Sequence, residues 1–331
     1  MCKKRVGVVF GGRSEEHDIS CKSAEFVMKA LDADKYQPVY IRITKEGDWL
    51  ECTEDFLIDD LKEKVDFVFP VLHGPYGEDG TIQGLLEMLD IPYAGCGVLA
   101  SALAMDKALF KDLLRSKGFP TSKSLVFEKT RIREDYETIE KEIDEKLGFP
   151  CFVKPANMGS SVGISKVSSK EKLKAALRTA AAYDSKVLVE EFVPARELEV
   201  AVLGNYIIEA SFPGEIIPAG DFYDYDAKYS ETQKPSKLIV PAKLPDSTCT
   251  ELQQLAVKAF EAIGGQGFGR VDFFQSKEDG QIYINEINTI PGLTEKSMFP
   301  LLWQAQGKTP GEIIERIIDL GYERYYSKNC R

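Results

Sequence analysis

Two short stretches near the end of the chain carry residue types that could hold a divalent cation. Residues 269–274 (GRVDFF) read as a strand, Glu278-Asp279-Gly280 supplies a turn, and residues 281–288 (QIYINEIN) read as the return strand. With that turn at the centre, Asp272 falls opposite Glu286. Side chains alternate along a strand, so Arg270 and Asp272 share a face, and so do Glu286 and Asn288. Two facing carboxylates without a cation would repel each other. Two carboxylates and an amide oxygen form a hard, all-oxygen set of the kind that holds Mg²⁺ shared with substrate phosphates. Taken alone, the same residues also suit a hairpin with solvated charges.

Four further segments could carry chemistry. Residues 154–163 (KPANMGSSVG) place a lysine at the end of one strand and a Gly/Ser loop before the next. Glycines let backbone amides approach phosphate oxygens, and the lysine adds a point charge. Neither GxxxxGK[ST] nor GxGxxG occurs, so a nicotinamide dehydrogenase is not expected. The loop at 73–80 (HGPYGEDG) is polar and glycine-rich after a buried strand. Glu16 lies near a helix start after Gly11-Gly12, where it could bind an ammonium group or serve as a first-turn acid. Lys107 lies on a helix. In isolation, each of these is also compatible with a turn or a solvated face.

Alternating strands and helices must position the first of these segments. Strands are expected at 6–10, 39–43, 65–72 and 91–95, with helices at 20–31 and 80–89. Short apolar strands separated by helices predict a parallel sheet, and ligands sit at the carboxyl ends of such strands. Gly11-Gly12 and His73-Gly74 lie at those ends. One helix is expected through Leu99, Ala102, Leu103, Phe110, Leu113 and Leu114, stopping at Gly118. A second carries Tyr136, Ile139, Ile143 and Leu147. Strands at 151–154, 164–167, 186–189 and 197–204 follow, with a helix at 170–182 and a hinge at 190–194. Residues 213–235 show no period and read as a long loop, either a functional lid or a disordered stretch. Leu252, Leu255, Ala256, Ala259, Phe260 and Ile263 mark a last helix.

Composition narrows the classes further. The 331 residues are 44% hydrophobic and 29% charged, as in a globular chain of two or three domains. The net charge of −11 disfavours general nucleic-acid or anionic-membrane binding. No run of about 18 apolar residues suggests a membrane-spanning helix. The basic residues 3–5 precede only five apolar ones, too few for a signal sequence. Seven cysteines without a CxxC spacing, and only two histidines, argue for reduced thiols rather than a disulfide frame or a zinc site.

Taken in order, these segments resemble the D-alanine–D-alanine ligases of the ATP-grasp superfamily over essentially the whole chain. The resemblance rests on GGRSEEHDIS (11–20), HGPYGEDG (73–80), SALAMDK (101–107), VKPANMGSSVGISKV (153–167), FYDYDAKY (222–229) and GFGRVDFF with YINEINTIPG (267–292). It implies an α/β and α+β chain: an N-terminal parallel-sheet (pre-ATP-grasp) domain followed by a two-part ATP-grasp fold. The expected divisions are 1–97, 98–195 and 196–331, the last carrying the lid at about 213–235 and the metal site.

By matched motif, Lys107 and Lys154 would contact the phosphates of ATP. Residues Glu190, Glu191, Phe192 and Val193 would line the adenine pocket, and Glu197 would hold the ribose. Ser161 and Phe274 would also belong to the nucleotide site. Asp272, Glu286 and Asn288 would hold two Mg²⁺, with Mn²⁺ able to substitute. Glu16 would take the ammonium of the first D-alanine, with Ser160 and Tyr229 linking it to the lid. Arg270 and the Gly292 amide would stabilise a tetrahedral intermediate. Ser297, helped by Lys228, would bind the second carboxylate, with His73 and Met298 also in the substrate site. A cytoplasmic homodimer supplying peptidoglycan precursors, without nucleic-acid or membrane partners, is implied as well. The segment Thr294-Glu295-Lys296-Ser297-Met298 departs from the family's commoner residues at 295 and 296, beside the second-substrate pocket. D-serine and D-lactate are therefore the alternative acceptors. Lys228-Tyr229 favours an amino acid, most simply D-alanine.

Overall fold

Val6, Val8 and Val9 have no exposed surface on either face of their strand, as a central parallel strand requires. The computed structural model describes residues 3–51, 53–160, 162–218 and 236–329. The first sheet contains β1 (Lys4–Gly11), β2 (Tyr36–Ile43), β3 (Trp49–Glu51), β4 (Glu54–Asp55) and β5 (Phe67–Pro70), in the order β4-β3-β2-β1-β5. β1 runs parallel to β2 and β5. Helices His17–Ala30 and Thr81–Met88 follow β1 and β5, as the alternation predicts. The strand expected at 91–95 is reduced to a single parallel bridge between Val68 and Tyr93. Pro92 has no N–H for a ladder, and Gly95 turns into the left-handed region at φ 93°.

The second sheet contains β6 (Ser124–Glu128), β7 (Cys151–Pro155), β8 (Ser165–Val167) and β9 (Lys186–Glu191), antiparallel in the order β6-β9-β7-β8. Helices Tyr136–Lys146 and Lys170–Tyr183 bury Ile139, Ile143, Leu173 and Leu177 against it. Glu190 and Glu191 belong to β9 and pair with Ser124 and Cys151, so the expected hinge shrinks to 192–194.

The third sheet contains β10 (Ala195–Gly204), β11 (Ile208–Ala210), β12 (Gly214–Ile217), β13 (Lys237–Ile239), β14 (Gly267–Ser276) and β15 (Ile282–Asn288). Its order is β13-β12-β10-β14-β15, with β11 also on β10. The segment at 213–235 thus starts as a strand rather than a loop, and Glu215 pairs with Ile239 of β13. Residues 219–235 of the expected lid lie outside the described residues.

The single helix expected over 99–114 is two, Val98–Met105 and Lys107–Ser116. Asp106 is extended at φ −80°, ψ 94° and caps the second helix by accepting from Ala108 N and Leu109 N. Alternation on β10 and β14 then divides the third sheet. Leu198, Val200, Val202, Val271 and Phe273 face one core with Phe110, Leu114 and the helix Asp246–Ala262. Ala201, Leu203 and Phe268 face another, shared with Val6, Val8, Phe67 and Phe69 of the first sheet. Further along that second face the residues become Glu197, Glu199, Arg270, Asp272 and Phe274, and the face opens into a cleft.

Candidate active site

The cleft has a volume of about 1160 Å³; strands of the second and third sheets line it, and the N-terminal unit contributes the helix His17–Ala30 and the loops bearing Glu16, His73 and Glu78. Every predicted site residue within the described chain lines it: Glu16, His73, Lys107, Lys154, Ser160, Glu190, Glu191, Phe192, Val193, Glu197, Arg270, Asp272, Phe274, Glu286, Asn288, Gly292, Ser297 and Met298. Ser161, Lys228 and Tyr229 lie outside the described residues.

Asp272 pairs directly across the hairpin with Glu286, and Arg270 with Asn288. The ladder reaches this register through a bulge. Phe273 pairs with Ile284, so Asn285 is the extra residue. Arg270 grips both oxygens of Asp272 at 2.7 Å and pairs with Glu199 of β10 at 2.9 Å. Burial opposes its charge, but Asp272 and Glu199 outweigh that and hold the guanidinium firmly protonated. Asn288 Nδ2 donates to Asp272 Oδ2 at 2.9 Å, which leaves its amide oxygen as a possible ligand. Among the described residues no three His, Cys, Asp or Glu side chains gather as a metal centre of their own. Two carboxylates and an amide oxygen on the wall of a nucleotide-sized cleft nonetheless form a set that fits Mg²⁺.

Lys107 opens the helix Lys107–Ser116, where its charge opposes the helix dipole. It is held by Met158 O at 2.7 Å and lies 3.7 Å from Glu286. Lys154, at the end of β7, pairs with Glu190 on the neighbouring β9. Glu190 also meets Lys111 at 2.5 Å. Burial would push its carboxyl up, but Lys111 and Lys154 together pull it down to about 2. Beyond Glu190, Phe192 lies 6.0 Å from Phe152, with Lys166 over its ring at 3.9 Å. Glu197 and Phe274 pair across β10 and β14 at the same end.

The opposite wall is built from loops. Ser160 Oγ donates to Glu16 Oε1. A Cβ at Gly74 or Gly159 would approach Glu16 Oε2 to 2.8 or 2.7 Å and push that carboxylate aside, and Gly74 also turns through the left-handed region at φ 71°. Ser297 Oγ accepts from Thr294 N at 3.0 Å and lies against Gly292.

Three contributors went unassigned in the sequence: Glu78, Glu199 and Lys111. Glu78 lies within HGPYGEDG, and its burial follows only from the loop's fold. Glu199 is on the same strand face as Glu197, which alternation alone could have flagged. Lys111 is one helical turn after Lys107.

A nucleotide-sized cleft clasped between two antiparallel sheets, beside a parallel-sheet unit, defines the ATP-grasp class of ligases. Comparison with known proteins narrows this. The model of the D-ala D-ala ligase C-terminus matches residues 113–319, and that of the N-terminus matches 5–63 and 53–96. The D-alanine--D-alanine ligase of Halothermothrix orenii is 46% identical, over 98% of this chain and 99% of that one. Among solved structures, the VanG D-Ala:D-Ser ligase from Enterococcus faecalis superposes with a TM-score of 0.87 at 35% identity. It covers 97% of this chain and 100% of its own. The D-alanine-D-alanine ligase from Coxiella burnetii gives 0.86 at 32%, over 99% and 96%. The chain belongs to the D-alanine–D-alanine ligase family.

Proposed function

We propose that this chain joins two D-alanine molecules at the expense of ATP, releasing ADP and phosphate and supplying the dipeptide for cell-wall synthesis. Full-length kinship to ligases of that name carries the reading, and the convergence of the expected residues on one cleft supports it.

A carboxylate is a poor electrophile, so the first D-alanine must be activated. Its oxygen attacks the γ-phosphorus, the bond to ADP breaks, and an acyl phosphate forms. Such transfer needs positioning and charge neutralisation more than a protein nucleophile. Lys107 and Lys154 point cations into the cleft for the phosphates. Glu190 to Val193 with Phe274 form the base pocket, and Glu197 faces the ribose. Asp272, Glu286 and Asn288 would hold two Mg²⁺, or Mn²⁺, which supply further neutralisation of phosphate charge. Glu16 takes the first ammonium, held in place by Ser160. The second amine, after losing a proton, attacks the acyl carbon, and phosphate leaves. The oxyanion formed between these events needs preorganised donors, which Arg270 and the Gly292 amide provide. Ser297 receives the second carboxylate, with His73 and Met298 nearby. From the sequence, Ser161, Lys228 and Tyr229 complete the nucleotide, carboxylate and lid contacts. On the same reading the chain divides into 1–97, 98–195 and 196–331 and works as a cytoplasmic homodimer.

The test is ADP and phosphate release that depends on D-alanine, with the dipeptide identified by mass. D-alanine, D-serine and D-lactate compete as acceptors in one tube, and D-alanine should dominate the product. Absence of nucleotide turnover with any D-amino acid defeats the proposal.

A further inference from the structure

Lys111 is 1% exposed. An ammonium so deeply buried is costly unless its hydrogens and its charge are all answered. Its three partners are Glu190 Oε1 at 2.5 Å, Thr121 Oγ1 at 3.1 Å and Ser122 Oγ at 3.0 Å. Ser122 Oγ in turn donates to Glu190 Oε1 at 3.2 Å. The other oxygen of Glu190 goes to Lys154. One buried carboxylate thus serves two ammonium groups. Lys154 lines the cleft, whereas Lys111 does not.

We infer that Lys111 is a positioning residue that keeps Glu190 neutralised, so that Lys154 is free to leave that carboxylate for the phosphates of the bound nucleotide. The inference rests on the reading of the cleft as an ATP site. A lysine in a buried one-to-one pair is held back, because its departure strands the carboxylate without a partner. With Lys111 on Oε1, Glu190 stays paired when Lys154 moves. The helix Lys107–Ser116 therefore handles both phosphate lysines. It supplies Lys107 itself and, one turn later, the counter-charge that releases Lys154.

The test is a double-mutant cycle read on the KM for ATP. Lys111→Met should raise that KM about tenfold or more, because Lys154 is then the sole cation paired with a buried carboxylate. The KM for D-alanine should stay unchanged. In a Glu190→Gln background there is no carboxylate to strand, and adding Lys111→Met should change the ATP KM by less than about twofold. Lys111→Arg, which keeps the charge, should stay nearer the parent than Lys111→Met. An unchanged ATP KM, or an equal rise in both backgrounds, overturns the inference, since a merely structural lysine would act alike in both. Should Lys111→Met alone not fold, Lys111→Met/Glu190→Gln against Glu190→Gln remains decisive. A tenfold difference between those two refutes the idea. Failure of the parent enzyme to turn over ATP with D-alanine would instead refute the ATP reading itself.

Discussion

Ile290 is gripped on both sides of its peptide by one loop. Its N–H donates to Glu78 Oε1 at 3.3 Å, and its carbonyl meets His73 Nδ1 at 3.0 Å. A carbonyl only accepts, so Nδ1 carries the proton, and in the neutral ring Nε2 accepts from Ser23 Oγ at 3.2 Å. Burial pushes the imidazole down and keeps it neutral. Glu78 also accepts from Gly74 N at 2.8 Å. Two residues further on from Ile290 lies Gly292, so HGPYGEDG acts as a mount for the proposed oxyanion donor. Burial, reinforced by the neighbouring Glu16, pushes the Glu78 carboxyl up to about 8 from an ordinary 4.5. The native state therefore holds a proton that the unfolded chain loses. The stability this contributes is full below about pH 4.5 and falls by about 1 kcal/mol per pH unit until it is gone above about pH 8. Glu78→Gln cannot ionise and should flatten that slope. Melting curves at pH 5.5 and 8.0 should show the parent losing about 3–5 °C more than the variant over this range. Parallel losses would show that Glu78 is ionised in the native protein.

Among the elements, the break at Asp106 has the clearest functional consequence. Its carboxylate caps the helix that carries Lys107 and Lys111, and it also pairs with Lys186 at the start of β9 at 2.7 Å. One side chain thus ties that helix to the strand bearing Glu190. Asp106→Ala should cost about 1–2 kcal/mol of stability from the lost cap. It should also raise the ATP KM more than the D-alanine KM, because both proposed phosphate lysines depend on the helix start. Equal changes in the two constants would show that the cap matters only for folding. The sequence displayed Asp106 as a helix residue because Leu103 and Phe110 keep helical spacing across it. Only the cap geometry reveals two helices, and capping depends on local backbone angles that apolar periodicity does not encode. The hairpin was more legible. Asp272 opposite Glu286 follows from a turn centred on Asp279, and the structure keeps that pairing. The bulge at Asn285 was legible too, although it was not read. Ile282 and Ile284 are two apart and Ile284 and Ile287 three apart, yet all three are buried in one core. A period-two strand cannot do that without one inserted residue. Strands β3, β4 and β6 and the helix Pro310–Asn329 were not anticipated. β3 (Trp49-Leu50-Glu51) and the edge strand β4 are three and two residues long, too short to show a period, and the helix packs against sequence about 300 residues away.

At the scale of the whole molecule, that last helix makes the first and third sheets one body. Ile313, Ile314, Ile317, Ile318 and Leu320 are fully buried in the core that also holds Val6, Val8, Phe67, Phe69 and Phe268. Arg324, 2% exposed, donates to Gly95 O at 2.5 Å and Tyr93 O at 3.1 Å and lies over the Tyr93 ring. The second sheet keeps a separate core of Phe127, Ile139, Val153, Leu177 and Val189. Chain segments at 117–123 and 192–194 and polar contacts such as Lys111–Glu190 join it to the rest. Shared apolar burial couples opening events, and the buried apolar link to the second sheet here is small, Ala108 with Ala156 and Leu188. Hydrogen exchange under mildly denaturing conditions should therefore show amides of β1, β5, β14 and residues 313–320 opening together, at the highest free energy. Those of β6, β7 and β9 should open separately and more easily. ATP should raise protection in the second sheet most, since the proposed contacts with Lys154 and Glu190 there are what a closed clasp would add. If β1 and β5 instead exchange independently of residues 313–320, the N-terminal sheet is a self-sufficient domain, and the nucleotide cleft must close between three bodies rather than two.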